Sequence, residues 1–398
     1  MYITIKDKDN LDMQLSYRRH SIDDLFNNDN IEEVVLDDED NEIENPTIRN
    51  KTYKIDRPTA KFKKTELDHV LKVCLDMHEI FRKHPEPESE YYTFKIPKKT
   101  HGFRTICAPE DKLKKDMARV AKWFPNRLGI LTHDSAWAYV ENRDVVKAVQ
   151  EHTNNKSRWF LKIDLHDFFG SCNKDFIYEQ LTKLYPFAEY IKDGYRGHEL
   201  IRDTLKELAE FSTVNNGLPQ GTPLSPILTN LLMVEFDYNM HGLIRELIKE
   251  EKLFKQKYIY TRYADDIIIS AKNKFDFKTL VNSIDKVLLK DTPLTLNKEK
   301  TRFGSNSGRN WNLGVMCNKE NKTTVGHRQK HKLKTYFYQY AMSEELYPLD
   351  DLRYLLGQLS WLKNVEPDYF EGFINFYKRK YDIDLWNSII EDIKKYNN

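Results

Sequence analysis

Tyr263-Ala264-Asp265-Asp266 sets two adjacent carboxylates between two short apolar segments, Tyr258 to Tyr263 and Ile267 to Ser270. Neighbouring carboxylates repel, so keeping both ionised is costly unless a divalent cation neutralises them. Taken alone, the same residues equally suit a turn whose aspartates face water, because Ala-Asp-Asp is good turn chemistry. A third carboxylate breaks that tie. Trp159-Phe160-Leu161-Lys162-Ile163-Asp164 reads as an apolar strand ending on an acid, followed by Leu165-His166-Asp167-Phe168-Phe169. Between the two acidic sites lies Gly217-Leu218-Pro219-Gln220-Gly221-Thr222-Pro223-Leu224-Ser225-Pro226. This glycine- and proline-rich loop runs into an apolar helix expected over 227–236, with Ser225 as N-cap and Pro226 in the first turn.

In this order the segments resemble the bacterial reverse transcriptases that include retron, group II intron and phage-defence enzymes, from about residue 92 to residue 330. Asp164 matches their first-aspartate motif, Leu218-Pro219-Gln220-Gly221 the loop-helix motif and Tyr263-Ala264-Asp265-Asp266 the metal-binding hairpin. Leu296-Asn297-Lys298-Glu299-Lys300-Thr301 matches the next motif, and Asn312-Leu313-Gly314-Val315 the strand that grips the primer. The resemblance implies an α+β right-hand polymerase with fingers, a palm built on an antiparallel sheet, and a helical thumb. It further implies an RNA-directed DNA polymerase, a nucleotidyltransferase that joins dNTPs to a DNA primer on an RNA template. Such a reaction needs the primer hydroxyl activated and the charge on phosphorus and leaving pyrophosphate neutralised, which two divalent ions about 4 Å apart accomplish. Two Mg2+ ions are expected, with Mn2+ as a substitute, because the donors are hard oxygens.

Site roles follow from the same resemblance. Asp164 and Asp265 are expected to bridge the metals, with Asp266 as an accessory carboxylate and Leu165, directly after Asp164, in the metal set. Lys300 is a candidate proton donor to pyrophosphate, with Lys298 and Arg302 competing for that role. Lys95-Ile96-Pro97-Lys98-Lys99-Thr100-His101-Gly102-Phe103-Arg104 reads as a basic hairpin, of which Lys98 and Arg104 would close on the triphosphate; a guanidinium fork can take two phosphate oxygens. Phe169 is the expected gate against a 2′-hydroxyl, with Phe168 the better buried aromatic. Gln220 would lie along the nascent base pair, Gly221 allowing close backbone approach. Tyr263, Leu313, Gly314, Arg328 and Lys332 would hold primer and template.

The elements that position these residues divide the chain into an acidic N-terminal extension (1–58), fingers (59–157), palm (158–318) and helical thumb (319–398). A first helix is expected from an N-cap at Thr65, with Leu67, Val70, Leu71, Cys74, Leu75 and Phe81 at helical spacing, and the segment 174–216 should be largely helical. Leu352, Leu355, Leu356, Leu359 and Leu362 mark an apolar thumb face, and Tyr336, Tyr338 and Tyr340 read mostly as thumb core. Across 398 residues the formal charge is only +1. That average hides acidic residues over 28–44 beside Lys/Arg-rich stretches over 95–122 and 298–334, a distribution suited to nucleic acid. Cys74, Cys107, Cys172 and Cys317 lack zinc or disulfide spacing. With no signal-like start and no membrane-length apolar run, a cytoplasmic protein without a membrane partner is expected.

The subfamily signatures are broken. Retron enzymes carry Val-Thr-Gly where this chain has Asn312-Leu313-Gly314, and Asn-Ala-x-x-His where it has Ala148-Val149-Gln150-Glu151-His152, keeping only the histidine. The expectation is therefore a defence-associated or otherwise unclassified bacterial enzyme acting on a structured non-coding RNA, with a protein partner or a second copy of itself as further candidates. No maturase, endonuclease or protease segment fits the remaining sequence. Two other readings stand beside this one: a template-independent or protein-primed DNA polymerase, and a catalytically silent RNA-binding scaffold, which would not require the three aspartates.

Overall fold

The computed structural model describes residues 60–97, 102–192, 197–306, 310–312, 314–318 and 320–396. The acidic extension, Lys98 and Leu313 lie outside the described residues. In chain order the elements are α1 (Ala60–Phe81), β1 (Tyr91–Pro97), β2 (Phe103–Pro109), α2 (Asp111–Asn126), α3 (Val145–Asn154), β3 (Trp159–His166) and the single-turn α4 (Phe168–Ser171). There follow α5 (Lys174–Thr182), α6 (Phe187–Lys192), α7 (His198–Ser212), α8 (Ser225–Leu232), α9 (Val234–Lys249), β4 (Tyr258–Tyr263), β5 (Asp266–Ala271) and α10 (Phe277–Asp291). The chain continues through β6 (Thr295–Leu296), β7 (Arg302–Ser305), β8 (Asn310–Asn312), β9 (Val315–Cys317), β10 (Thr323–Thr324), α11 (His327–Ala341), α12 (Leu349–Val365), α13 (Pro367–Tyr381) and α14 (Leu385–Lys395). No described helix is long and apolar enough to cross a membrane.

Two compact units emerge. The first comprises the described residues of Met1–Tyr139, Leu165–Glu250 and Lys278–Asn297. Its helices bury one face each: Leu67, Val70, Val73, Cys74, Met77, Ile80 and Phe81 recur at helical spacing on α1, and Ile201, Leu205, Leu208 and Phe211 on α7. Fully burying side chains of this size stabilises by about 1.5–3 kcal/mol each, which is why these helices form. Helix α1 begins at Ala60, five residues before the expected cap at Thr65, because Ala60-Lys61-Phe62-Lys63-Lys64 contains no helix breaker. Strands β1 and β2 form an antiparallel hairpin from Tyr91↔Pro109 to Pro97↔Phe103.

The second unit comprises Val140–Asp164, Glu251–Phe277 and the described residues of Lys298–Asn398. Here β3 is central, antiparallel to β5 on one side and to β7 on the other, with β4 outside β5. Strand β5 is buried along its whole length, as its Ile267-Ile268-Ile269 run requires. A separate ladder runs β10-β9-β8. Helices α11–α14 share a core that includes Leu333, Phe337, Leu352, Leu355, Leu359, Leu362, Phe373, Tyr377, Leu385 and Ile389. Of the three tyrosines read mostly as thumb core, Tyr340 is buried and its hydroxyl donates to Asp392, whereas Tyr336 and Tyr338 are 36% and 50% exposed. The buried stripe of α11 runs through 333, 337 and 340, and positions 336 and 338 fall to either side of it.

Candidate active site

The strand register brings the acids together. Asp164 pairs directly with Asp266 across β3 and β5, and Tyr263 pairs with Asp266 across β4 and β5. Ala264 and Asp265 form the two-residue turn between those strands, with Ala264 at φ 56°. Asp266 is thus a strand residue and only Asp265 sits at the tip. Side chains alternate along a strand, so Lys162 shares a face with Asp164. Lys162 Nζ donates to Asp266 Oδ2 at 2.5 Å, and Lys300 Nζ donates to Asp164 Oδ2 at 3.0 Å and Oδ1 at 3.2 Å. Lys162, Asp164 and Asp266 are each less than a tenth exposed.

Burial raises the pKa of Asp265, and the charges of Asp266 and Asp164 raise it further. Burial likewise raises that of Asp266, while Lys162 opposes the shift. Mutual repulsion among the acids is therefore present, opposed by Lys162 at both Asp265 and Asp266 and by Lys300 at Asp266. Among the described residues, no three His, Cys, Asp or Glu side chains are already gathered as a metal shell; Asp164 and Asp266 face lysines instead. The donor chemistry nevertheless fits a hard divalent cation, since carboxylate oxygens crowded in a low-dielectric site are the ligands such an ion takes. Asp164, Asp265 and Asp266 are the residues that would hold it. Lys162 escaped sequence reasoning, although its position two residues before Asp164 on a strand was a sufficient signal. Lys300, the candidate proton donor to pyrophosphate, here donates to Asp164.

The first unit holds the nucleotide-binding candidates. Asp167 at φ 39° turns the chain out of β3 into α4, leaving Phe168 buried and Phe169 half-buried, edge-on to each other at 5.7 Å. The Phe169 carbonyl accepts the Leu218 N–H at 3.0 Å. A Cβ on Gly217 would stand 2.5 Å from the Gly170 carbonyl oxygen, so only glycine permits this approach. The Gln220 carbonyl accepts the Cys107 N–H of β2 at 2.9 Å. Gly221 has φ +121°, and a Cβ there would meet Ile106 Cγ2 at 2.8 Å. The loop is closed by Thr222, whose hydroxyl accepts the Ser225 N–H at 3.1 Å and bonds Ser225 Oγ at 2.7 Å. Ser225 is consequently the first residue of α8, not its cap, and the expected single helix divides into α8 and α9. Arg104 is exposed on β2, opposite Ile96.

Leu165 is buried on β3 and pairs with Leu296 on β6. Tyr263 is half-buried against the core of the second unit. Gly314 precedes β9 at φ +97° with nothing within 4 Å of an added Cβ. Arg328 and Lys332 are exposed one turn apart on α11, opposite its buried stripe.

The family described as Reverse transcriptase (RNA-dependent DNA polymerase) matches residues 96–335. The chain is similar to the retron Ec83 reverse transcriptase of Escherichia coli, at 26% identity over 78% of this chain and 92% of that one. It is also similar to the retron Ec73 reverse transcriptase of Escherichia coli, at 28% identity over 72% and 85%. A looser likeness, with a TM-score of 0.39 and 15% identity, is to telomerase from Candida albicans in complex with a TWJ fragment of telomeric RNA, over 77% of this chain and 60% of that one. The mixture of helices with an antiparallel sheet is that of the right-hand polymerase fold. The chain belongs to the reverse transcriptase family, and is an RNA-directed DNA polymerase of retron-like bacterial type.

Proposed function

We propose that the chain makes DNA from dNTPs at the Asp164, Asp265 and Asp266 centre, on a dedicated structured non-coding RNA, as part of bacterial antiphage defence. The observation that carries the reading is the direct pairing of Asp164 with Asp266 beside the Asp265 turn. Two divalent ions bound there would supply charge neutralisation at phosphorus and activation of the primer hydroxyl. Lys162 and Lys300 hold Asp266 and Asp164 in place and offset part of their repulsion. Phe169, anchored through its carbonyl to Leu218, would rest against the sugar of the incoming nucleotide and exclude a 2′-hydroxyl. Gln220 would face the base pair, and Arg104 would take triphosphate oxygens as a guanidinium fork. Tyr263, Gly314, Arg328 and Lys332 would contact primer and template, the two basic side chains through phosphates and so with salt-dependent affinity.

The RNA template is supported by membership of the family and by similarity to retron reverse transcriptases. The dedicated non-coding RNA and the defence role rest on the resemblance of the motifs. Sequencing the RNA and DNA that co-purify with the protein, alongside primer extension by wild type and Asp265→Asn, tests the reading. One enriched structured RNA with complementary DNA made only by the wild type is expected. DNA synthesis by Asp265→Asn overturns the site. Random cellular RNA in the purified complex overturns the dedicated template, and unchanged phage plating in cells expressing the system overturns the defence role.

A further inference from the structure

His152 lies at the end of α3 with 1% of its surface exposed. Its Nδ1 is 2.6 Å from Ser270 Oγ on β5, and its Nε2 is 2.8 Å from Thr261 Oγ1 on β4. Ser270 donates its own hydroxyl hydrogen to Ser157 Oγ at 2.8 Å, and Asn155 Nδ2 donates to the same oxygen at 2.9 Å. With that hydrogen committed to Ser157, Ser270 must accept from the imidazole. The network therefore assigns a neutral ring with the proton on Nδ1, and Nε2 accepting from Thr261. Burial pushes the imidazole pKa down to about 3, so the ring is uncharged throughout the neutral range and is no general acid or base there.

The two hydroxyls belong to the strands that carry the acids. Thr261 pairs with Ile268, and Asp266, Ile268 and Ser270 alternate onto one face of β5. The same face of β3 presents Phe160, Lys162 and Asp164, and the Phe160 ring lies 5.6 Å from the imidazole. One side chain thus pins both strands of the hairpin to α3, four residues before Asp265 on one strand and four after Asp266 on the other. Strand register sets Asp266 opposite Asp164 and hairpin twist sets Asp265 at the adjoining turn, and a bridge across both strands restrains both.

We propose that His152 is a positioning residue for the polymerase reaction, holding the hairpin so that Asp265 and Asp266 stay registered against Asp164. The inference rests on reading these acids as the reacting centre. The test uses the full chain with its co-purified RNA and measures single-nucleotide incorporation per folded molecule, with Asp265→Asn as control. His152→Leu should lower kcat about tenfold, equivalent to about 1.4 kcal/mol, while KM for dNTP and RNA affinity stay within about twofold, the signature of an interaction needed only at the reacting step. Thr261→Val and Ser270→Ala should each lower kcat. Combined with one another or with His152→Leu, they should cost less than the product of the single effects, because the bonds act as one unit. If His152→Leu does not fold, the two hydroxyl variants carry the same cycle. Unchanged kcat, effects that simply multiply, or a loss confined to KM would overturn the role. Synthesis by Asp265→Asn would instead overturn the reading of the centre, so the two failures are distinguishable.

Discussion

Replacing Lys162 with Met tests how the carboxylate centre is held when no nucleotide is present. Lys162 Nζ stands 2.5 Å from Asp266 Oδ2, with both side chains only 11% exposed. Methionine keeps the apolar stem and removes the charge, leaving Asp266 buried beside Asp164 without its ion pair to Lys162. Removing one partner of a buried pair costs about 3–5 kcal/mol, and Lys300 can offset part of that because it already lies on Asp164. A loss near 3 kcal/mol is expected at pH 8, measured by urea unfolding. Burial already raises the Asp266 pKa, and losing Lys162 raises it more. The folded state then binds a proton that the unfolded state does not, so the stability penalty shrinks as pH falls. Lys162→Met should sit closer to wild type at pH 5 than at pH 8. Magnesium would supply by coordination the positive charge that the lysine supplies through a hydrogen bond, so adding it at pH 8 should stabilise Lys162→Met more than wild type. Equal stability of the two proteins at pH 8, or a deficit indifferent to both pH and magnesium, would refute the account.

Further outcomes follow from other contacts. Asp265→Asn should abolish nucleotide incorporation while RNA binding, measured by filter retention, stays near wild type. Phe169→Val should admit ribonucleotides, read as a rise in rNTP relative to dNTP incorporation, with unchanged sugar preference counting against the gate. Gly221→Ala must place a Cβ at φ +121° and 2.8 Å from Ile106, so a loss of about 1–3 kcal/mol is expected, with weaker dNTP binding if Gln220 shifts. His152 has its folded pKa pushed down to about 3 from 6.5. Its contribution is complete above pH 6.5 and is lost as pH falls toward 3, at about 1.4 kcal/mol per unit. Between pH 7 and pH 5.5 the wild type should therefore lose more stability than His152→Leu does, as followed by chemical denaturation.

The elements that carry the chemistry were legible because their signals are local. The β4 and β5 boundaries follow from two apolar runs flanking Ala264-Asp265, and β3 from an apolar run that ends near an acid. The leucines of α12 fall on one face for the same periodic reason. What escaped depends on contacts between distant residues. Thr222 rather than Ser225 organises the start of α8 because its hydroxyl reaches back to the Ser225 N–H, a choice between two good capping residues that spacing alone does not make. The partner of Lys300 was set by the path of the chain into β7, and the broken retron signature gave no hint that its remaining histidine spans Thr261 and Ser270. Tyr336 and Tyr338 fall outside the core because only every third or fourth helix position shares a face, and Tyr340 takes the one beside Phe337.

The hydrogen bond from the Cys107 amide to the Gln220 carbonyl joins β2 of the β1–β2 hairpin to the loop that carries Gln220, the residue proposed to face the base pair. Arg104 lies three residues along that same strand, so a phosphate held by its guanidinium, as proposed, would be linked to Gln220 through a short stretch of extended backbone. On the proposed roles of these two residues, selecting the correct base and gripping the triphosphate would become one mechanical event, and a mismatched nucleotide that displaces Gln220 would loosen its own phosphate clamp.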